Sequence, residues 1–202
     1  MEYFGYFIIN KCKLYQFFVL LHPIFKSNEM ISYKEKLKHI TTFIFDFDGV
    51  LSDGKVWVGS NGDQIRNTNV KDGYAIQYAL KQGFKVCIIS GGYSEGMKKR
   101  YDVFRGMDIF LKVSDKVEVY HAYLKSNDLI SSQVLLMGDD IPDYEVMKLA
   151  GVRACPQDAA IEIQEIADYI SGFKGGEGCV RDVIEHTMRL QGKWFQQGAS
   201  IW

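Results

Sequence analysis

The sequence predicts an α/β fold, a doubly wound, Rossmann-like parallel sheet with helices on both faces and an inserted β-hairpin flap. Two observations support this prediction. Short apolar runs of strand-like length alternate with stretches in which apolar residues recur at helical spacing, a pattern typical of right-handed βαβ units. Polar motifs follow several of these runs, at the carboxyl ends of the predicted strands. Ligands bind at that edge of such sheets, so the same pattern locates the expected site.

The predicted strands are short runs rich in branched and aromatic residues. In chain order they cover 42–47, 85–89, 109–111, 134–137 and 152–155. The helical stretches between and after them lie near 74–82, 94–104, 116–127, 143–150 and 159–166. This order predicts parallel strands joined by crossover helices, and therefore a sheet that is covered on both faces.

Residues 55–70 interrupt the alternation. The first half of this region alternates in the manner of a strand, and Asn61-Gly62 is a strong hairpin signal. A hairpin directly after the first strand would project from the sheet as a flap. Its Trp57 fits a contact between subunits as well as it fits a surface loop.

The composition indicates one ordinary globular domain. The 202 residues are 47% hydrophobic, and 24 Lys and Arg are balanced by 25 Asp and Glu, a net charge of −1. This balance offers no basic field for nucleic acid or for a membrane surface, so neither is expected as a partner. The four cysteines show no close pairing, which fits a reduced, cytoplasmic location.

Residues 1–29 differ from the rest of the chain. Lys11 and Lys13 precede an apolar stretch, but no small-residue cleavage site follows it, as a secretory signal would require. The stretch is also shorter than the roughly 20 residues of a membrane span, and His22 and Pro23 interrupt it. We interpret 1–29 as an N-terminal extension that is not part of the core, and 30–202 as the domain.

Asp46 and Asp48 stand at the end of the first predicted strand, just before a glycine. Residues two apart in an extended segment share a face, so both carboxylates can point into one site. Their mutual repulsion, about 4 kcal/mol at an effective dielectric of 20, favours a cation or a shared proton. Asp46 is the candidate nucleophile, which would attack phosphorus to give an aspartyl-phosphate, and Asp48 is the candidate general acid and base. An acidic turn that faces water is the simpler alternative.

Asp139 follows another predicted strand, within Gly138-Asp139-Asp140. The carboxylates of Asp46 and Asp139, together with the backbone carbonyl of Asp48, are oxygen ligands of the kind that Mg²⁺ prefers. The sequence therefore predicts a magnesium site at this edge of the sheet.

Ser90, Gly91 and Lys116 are candidate phosphate ligands. The Ser90 hydroxyl and the following amides would open a helix and donate to phosphoryl oxygens, and Lys116 would supply a positive charge at another helix start. Each also has an ordinary explanation, as a helix cap or a solvated lysine. The same holds for Asp140 and Asp143 as helix-start carboxylates that support the site. The order of the whole set is what carries the information.

This ordered set resembles the motifs of the haloacid dehalogenase superfamily of phosphohydrolases. Asp46 and Asp48 match the first motif, Ser90 the second, Lys116 the third, and the segment from Gly138 to Asp143 the fourth. The spacing leaves no room for a cap domain, so the chain is similar to the capless class. Within that class it resembles, over about residues 37 to 190, the phosphatases of 3-deoxy-D-manno-octulosonate 8-phosphate, which act in lipopolysaccharide sugar synthesis.

The resemblance implies a homotetramer, in which the hairpins pack together and neighbouring subunits help to close each site. It also implies a set of substrate-binding residues around the first two motifs and the helix between them. They are Asp48, Asn69, Val70, Lys71, Asp72, Gly73, Gln77, Gly92, Arg100 and Lys116.

The chain departs from this family at Lys71, Gln77, Gly92 and Glu177, where arginine is usual. Guanidinium groups capture carboxylates in a bidentate manner, so these departures bear on the substrate rather than on the chemistry. The tail Gly-Gly-Glu-Gly at 175–178 is similar to that of phosphatases acting on nine-carbon keto-deoxy sugar acid 9-phosphates, which stay an alternative.

Two kinds of protein that are not enzymes share part of this pattern. A receiver domain takes its phosphate at the end of a middle strand, whereas the candidate nucleophile here ends the first strand and has a second carboxylate two residues on. A catalytically idle oligomerisation module would be expected to lack Asp46, Asp48 or Asp139, and all three are present.

Overall fold

Six parallel strands form the central sheet of the protein, in the order β5-β4-β1-β6-β7-β8. They are β1 (Thr42–Phe45), β4 (Lys85–Ile89), β5 (Met107–Phe110), β6 (Val134–Met137), β7 (Val152–Cys155) and β8 (Tyr169–Ile170). The computed structural model describes residues 32–200, and the extension predicted at 1–29 lies outside the described residues.

Seven helices accompany the sheet within the described residues. They are α1 (Tyr33–Leu37), α2 (Val70–Lys81), α3 (Glu95–Tyr101), α4 (Lys116–Ser126), α5 (Tyr144–Met147), α6 (Ile161–Ile166) and α7 (Cys179–Leu190). No helix found between residues 32 and 200 has the length and apolar character needed to cross a membrane.

The sheet buries both faces, because alternate residues of each inner strand point to opposite sides. On β1, Phe43 and Phe45 pack on the face that α1, α2, α3 and α7 cover. Ile44 packs on the other face, against α4, α5 and α6. The predicted doubly wound α/β fold is therefore confirmed.

Strand β1 lies between β4 and β6 and pairs with both in parallel register, Phe45 opposite Ile88 and Met137. The chain winds from β1 to one edge of the sheet and then returns to β6 on the other side of β1. The carboxyl end of β1 is thus at the topological switch point, where ligands bind in open α/β sheets.

The hairpin is present but shorter than the 55–70 region predicted for it. Its strands are β2 (Trp57–Val58) and β3 (Gln64–Ile65), which pair antiparallel. Trp57 and Val58 are each 72% exposed, and Ile65 is 61% exposed. The hairpin therefore presents an apolar surface to the solvent.

Several boundaries differ from the prediction. Strand β1 ends at Phe45 instead of 47, because a helical turn begins at Phe47 and runs to Leu51. Helix α2 begins four residues before 74, because the Asn69 side chain caps it by accepting from the Lys71 amide at 2.8 Å. Helix α7 was not predicted, although its buried Val180, Val183, Ile184, Thr187 and Met188 have helical spacing.

Candidate active site

Asp46, Asp139 and Asp143 meet at the carboxyl end of the sheet. Asp46 follows β1 directly, and its amide donates to the Met137 carbonyl at the end of β6. Asp139 follows β6, and Asp143 lies in the turn before α5. One carboxylate oxygen from each of the three lies within 4.8 Å of the others. The sheet has therefore brought carboxylates that are nearly a hundred positions apart in the chain into one cluster.

Lys116 places its ammonium group among these carboxylates. Its Nζ is 3.1 Å from Asp46 Oδ2 and 2.7 Å from Asp143 Oδ1, and its side chain is 9% exposed. Burial alone would lower the pKa of Lys116, but the charges of Asp46 and Asp143 outweigh burial and raise it. Lys116 therefore stays charged, and it starts α4 as predicted.

Two oxygens of the cluster have no hydrogen-bond partner among the described residues. They are Oδ1 of Asp46 and Oδ1 of Asp139, and both are buried. The Asp143 oxygens, in contrast, are both used, one by Lys116 and the other by the Asp139 amide at 3.2 Å. A buried carboxylate oxygen without a donor is costly, so these two oxygens mark where a ligand belongs.

Electrostatics leads to the same conclusion. Burial, and then repulsion by Asp143, raises the pKa of Asp46 to about 7. Burial, and then repulsion by Asp46, raises the pKa of Asp139 to about 8. A single lysine does not balance three carboxylates, and a hard divalent cation with oxygen ligands would. The residues present therefore fit a magnesium-type site.

Gly49 allows the chain to pass directly beside Asp139. Its φ of +83° is in the region that favours glycine, and a Cβ at this position would overlap the Asp139 carboxylate. The glycine of the first motif thus has a steric role in bringing the two aspartate-bearing loops together.

Ser90 and Gly91 lie beside the carboxylate cluster, in a cleft of 430 Å³. The Ser90 Oγ accepts the Gly92 amide at 3.1 Å, which leaves its hydroxyl proton available to a ligand. The expectation that Ser90 opens a helix is wrong, because α3 starts five residues later at Glu95, with Ser94 as its cap. The cleft is lined by Asp46, Asp48, Gly54, Ser90, Gly91, Gly92, Val113, Ser114, Lys116, Asp139, Asp140, Pro142 and Asp143.

Asp48 lines the same cleft but its carboxylate belongs to a different contact. Arg66, just after β3, donates from Nε to Asp48 Oδ1 at 2.6 Å and from Nη2 to Oδ2 at 3.0 Å. The Ser52 hydroxyl also donates to Oδ1, at 3.3 Å. Sequence reasoning did not include Arg66, because no local pattern indicates which way a hairpin folds back.

The predicted substrate residues near α2 are divided between exposed and buried positions. Val70 and Lys71 are exposed at the start of the helix, whereas Asp72 is fully buried. Asp72 Oδ1 accepts the Arg181 amide at 2.6 Å, and Asn69 donates to the Gly176 carbonyl at 3.3 Å. The start of α2 is therefore joined to the glycine-rich tail.

Arg100 lies against Gly73, whose missing Cβ leaves room for the guanidinium, and donates to Thr68 at 3.3 Å. Arg100 and Arg66 share a second cleft, of 610 Å³, between the hairpin and α3. Its lining residues are Phe47, Gly62, Asp63, Gln64, Ile65, Arg66, Thr68, Tyr93, Ser94, Glu95, Gly96, Met97 and Arg100.

Gln77 lines neither of these clefts. It lies in a separate groove with Leu80, Lys81, Val103, Phe104 and Arg105. Gly92, in contrast, lines the 430 Å³ cleft beside the carboxylate cluster, and a Cβ there would lie 2.6 Å from Asp48 Oδ2.

Comparison with known proteins identifies the family. A model of haloacid dehalogenase-like hydrolases matches residues 104–183. The chain is 33% identical over 167 residues to the 3-deoxy-D-manno-octulosonate 8-phosphate phosphatase of Salmonella typhi. The aligned residues make up 82% of this chain and 89% of that protein. The chain belongs to the haloacid dehalogenase-like hydrolases, in the family of these phosphatases. The predicted superfamily and the predicted class of phosphoric monoester hydrolase are confirmed.

Solved structures agree with this assignment. The 3-deoxy-D-manno-octulosonate 8-phosphate phosphatase of Yersinia pestis superposes with a TM-score of 0.78 at 31% identity, over 81% of this chain and 88% of that one. The enzyme of Moraxella catarrhalis, solved with a magnesium ion, a phosphate ion and a KDO molecule, also has a TM-score of 0.78, at 29% identity over 82% of this chain and 95% of that one.

Proposed function

We propose that this protein is a Mg²⁺-dependent phosphatase that hydrolyses 3-deoxy-D-manno-octulosonate 8-phosphate to the free sugar acid and inorganic phosphate, a reaction of lipopolysaccharide sugar synthesis. The observation that carries the proposal is the pair of buried, unpartnered oxygens of Asp46 and Asp139 beside Lys116. Relatives of this chain carry the name of that activity, and one was solved with magnesium, phosphate and the sugar acid.

Asp46, Asp139 and the Asp48 carbonyl would hold the ion. When bound, Mg²⁺ would neutralise the carboxylates and offset charge on the phosphoryl group. Lys116 and the Ser90 hydroxyl would bind phosphoryl oxygens from the protein side, and their positions at one cleft with Asp46 support this assignment.

Asp46 then acts as the nucleophile. One of its oxygens forms a bond to phosphorus while the bond from phosphorus to the sugar oxygen breaks, and Asp48 donates a proton to that departing oxygen. Water next attacks the phosphorus of the aspartyl-phosphate and gives its proton to Asp48. Inorganic phosphate leaves, and the Asp46 carboxylate and the Asp48 carboxylic acid are restored.

The sugar-acid part of the substrate would lie in the second cleft. Arg66, which contacts Asp48, lines this cleft, and so does Arg100, whose guanidinium would bind the carboxylate of the sugar acid. Asn69 and the other residues at the start of α2 would close one side of it. Of the family arginines that this chain lacks, the position of Gly92 at the catalytic cleft bears most directly on substrate choice.

The hairpin surface of Trp57, Val58 and Ile65 would be covered in a homotetramer. These apolar side chains are exposed in the single chain, and such surfaces mark subunit contacts. The free thiols of Cys87, Cys155 and Cys179 fit the proposed cytoplasmic location.

A substrate screen tests the proposal. Phosphate release is measured from eight- and nine-carbon keto-deoxy sugar acid phosphates and from p-nitrophenyl phosphate, with Mg²⁺ and then with a chelator. We expect the highest kcat/KM for the octulosonate 8-phosphate, and loss of turnover with the chelator. A preference for a nine-carbon 9-phosphate would replace the substrate assignment, and turnover in the chelator would contradict the metal dependence.

A further inference from the structure

Arg66 joins the hairpin to the catalytic cleft. Its side chain is 6% exposed, whereas the Asp48 side chain that it contacts is 32% exposed. The two donors that it gives to Asp48, Nε and Nη2, form a bidentate pair at 2.6 and 3.0 Å. Such a pair fixes the direction of a carboxylate as well as its position, which a lysine cannot do.

The surroundings restrict this pair further. The Ser52 hydroxyl also donates to Asp48 Oδ1, at 3.3 Å. A Cβ at Gly92 would come within 2.6 Å of Asp48 Oδ2 and 3.2 Å of Arg66 Nη2, so glycine at this position leaves the room that both side chains occupy. Three hydrogen bonds therefore fix the Asp48 carboxylate in its present orientation.

The third nitrogen of the guanidinium, Nη1, is buried and has no hydrogen-bond partner within the described residues. A buried guanidinium donor without an acceptor is costly, so an oxygen atom of a bound ligand would stabilise Nη1. Arg66 also lines the second cleft, next to Thr68 and Arg100. An oxygen of a leaving group bound in this cleft would accept the remaining hydrogen bond of the Arg66 guanidinium.

We propose that Arg66 is a positioning residue for Asp48 and that it donates to the leaving group through Nη1. It holds the Asp48 side chain through both oxygens while Asp48 is ionised, and through one oxygen when the other carries the proton for the departing oxygen. This inference rests on the proposed function, because it deepens the role of Asp48 in the same reaction. It makes the hairpin part of the proton-transfer machinery, through a single side chain.

The role of Arg66 predicts an effect that depends on the leaving group. The ratio kcat/KM reports the steps up to release of the alcohol, so it reports the step in which Asp48 donates its proton. A sugar alkoxide needs that proton, whereas p-nitrophenolate leaves without it. Loss of Arg66 should therefore affect the sugar phosphate and spare p-nitrophenyl phosphate.

The experiment compares Arg66→Gln, Arg66→Lys and a matched control, Arg153→Gln. Arg153 forms the same kind of bidentate pair, with Asp168 at 2.8 and 2.9 Å, but lies on β7 outside both clefts. For Arg66→Gln we expect kcat/KM for the octulosonate 8-phosphate to fall by about 10². The value for p-nitrophenyl phosphate should change less than about threefold, Arg66→Lys should recover part of the loss, and Arg153→Gln should match the wild type in both.

Circular dichroism melting of each variant separates misfolding from a local effect. An equal fall of kcat/KM for both substrates in a folded Arg66→Gln protein would overturn the inference, as would no change in either. If the wild type hydrolyses other primary alkyl phosphates but not the octulosonate 8-phosphate, the substrate assignment fails and the Arg66 comparison is made on those alkyl phosphates. Absence of any phosphatase activity would reject both proposals.

Discussion

The aspartate cluster at the carboxyl end of the sheet, hereafter the rim, and Asp168 near the outer edge of the sheet differ in how their oxygens are used. Asp168 accepts from the Arg153 side chain, the Arg153 amide and Lys36, so both of its oxygens have partners. Burial raises the pKa of Asp168, but these hydrogen bonds outweigh burial and lower it. At the rim, Asp46 and Asp139 each keep an unpartnered buried oxygen, and their pKa values are raised.

The presence or absence of hydrogen-bond partners separates a structural carboxylate from one that would bind a ligand. Evolution can satisfy a buried carboxylate with protein donors, as at Asp168, and does so in most structural positions. Where donors are missing beside several like charges, the fold carries an electrostatic cost that a cation would relieve.

Replacing the nucleophile should have the largest effect. We expect Asp46→Asn to reduce turnover by at least about a thousandfold, because no carboxylate is left to attack phosphorus. Asp168→Asn serves as the control, and it should lower the melting temperature while leaving kcat/KM close to wild type. Phosphate release and thermal melting measure the two outcomes. Retained turnover in Asp46→Asn would show that Asp46, like Asp168, is not needed for the reaction.

The melting temperature of Asp139→Asn should not depend on the Mg²⁺ concentration. For the wild type, Mg²⁺ at a hundred times its Kd would add about 2.7 kcal/mol to the free energy of unfolding, a rise of roughly 5–10 °C in Tm for a domain of this size. The variant should lose this rise, and without metal it should melt at or above the wild-type temperature, because one repelling charge is gone. A full Mg²⁺-induced rise in the variant would show that Asp139 is not a ligand.

Asp72 gives a smaller effect, which depends on pH. Burial raises its pKa from 3.8 to about 6, against the hydrogen bond from the Arg181 amide. A carboxyl group whose pKa is raised by folding contributes its full stability below about pH 4, and this contribution is lost as the pH rises through about 6. At about 1.4 kcal/mol per pKa unit, the loss approaches 3 kcal/mol.

Asp72→Asn keeps an oxygen for the Arg181 amide and removes the charge. Between pH 4 and 7, denaturant unfolding should therefore show the variant gaining about 2.4 kcal/mol of this total relative to the wild type. Parallel stability curves across this range would mean that Asp72 does not titrate in this way.

The sequence could predict the rim because parallel strands end at one edge. Asp46, Ser90 and Asp139 follow β1, β4 and β6, three adjacent strands, and their proximity depends on strand order alone. Asp143 and Lys116 join them from the turn before α5 and the start of α4.

Contacts that depend on the path of a loop could not be predicted from strand order. Arg66 reaches Asp48 across 18 positions of chain through the hairpin. Asp72 pairs with the Arg181 amide 109 positions away, which turns an expected substrate residue into a buried one. Helix α7 was detectable from its apolar spacing, although the predicted helices ended at 166.

The central claim is that Asp46 carries the phosphoryl group during turnover. Acid quenching of the enzyme during hydrolysis, followed by mass spectrometry of its peptides, tests this most directly. We expect one phosphoryl group on the peptide that contains Asp46, present with substrate and Mg²⁺ and absent in Asp46→Asn. The same measurement on Asp48→Asn, in which hydrolysis of the aspartyl-phosphate should be slow, makes the intermediate easier to detect. An Asp46 peptide that stays unmodified while this variant turns over substrate would contradict the role of Asp46.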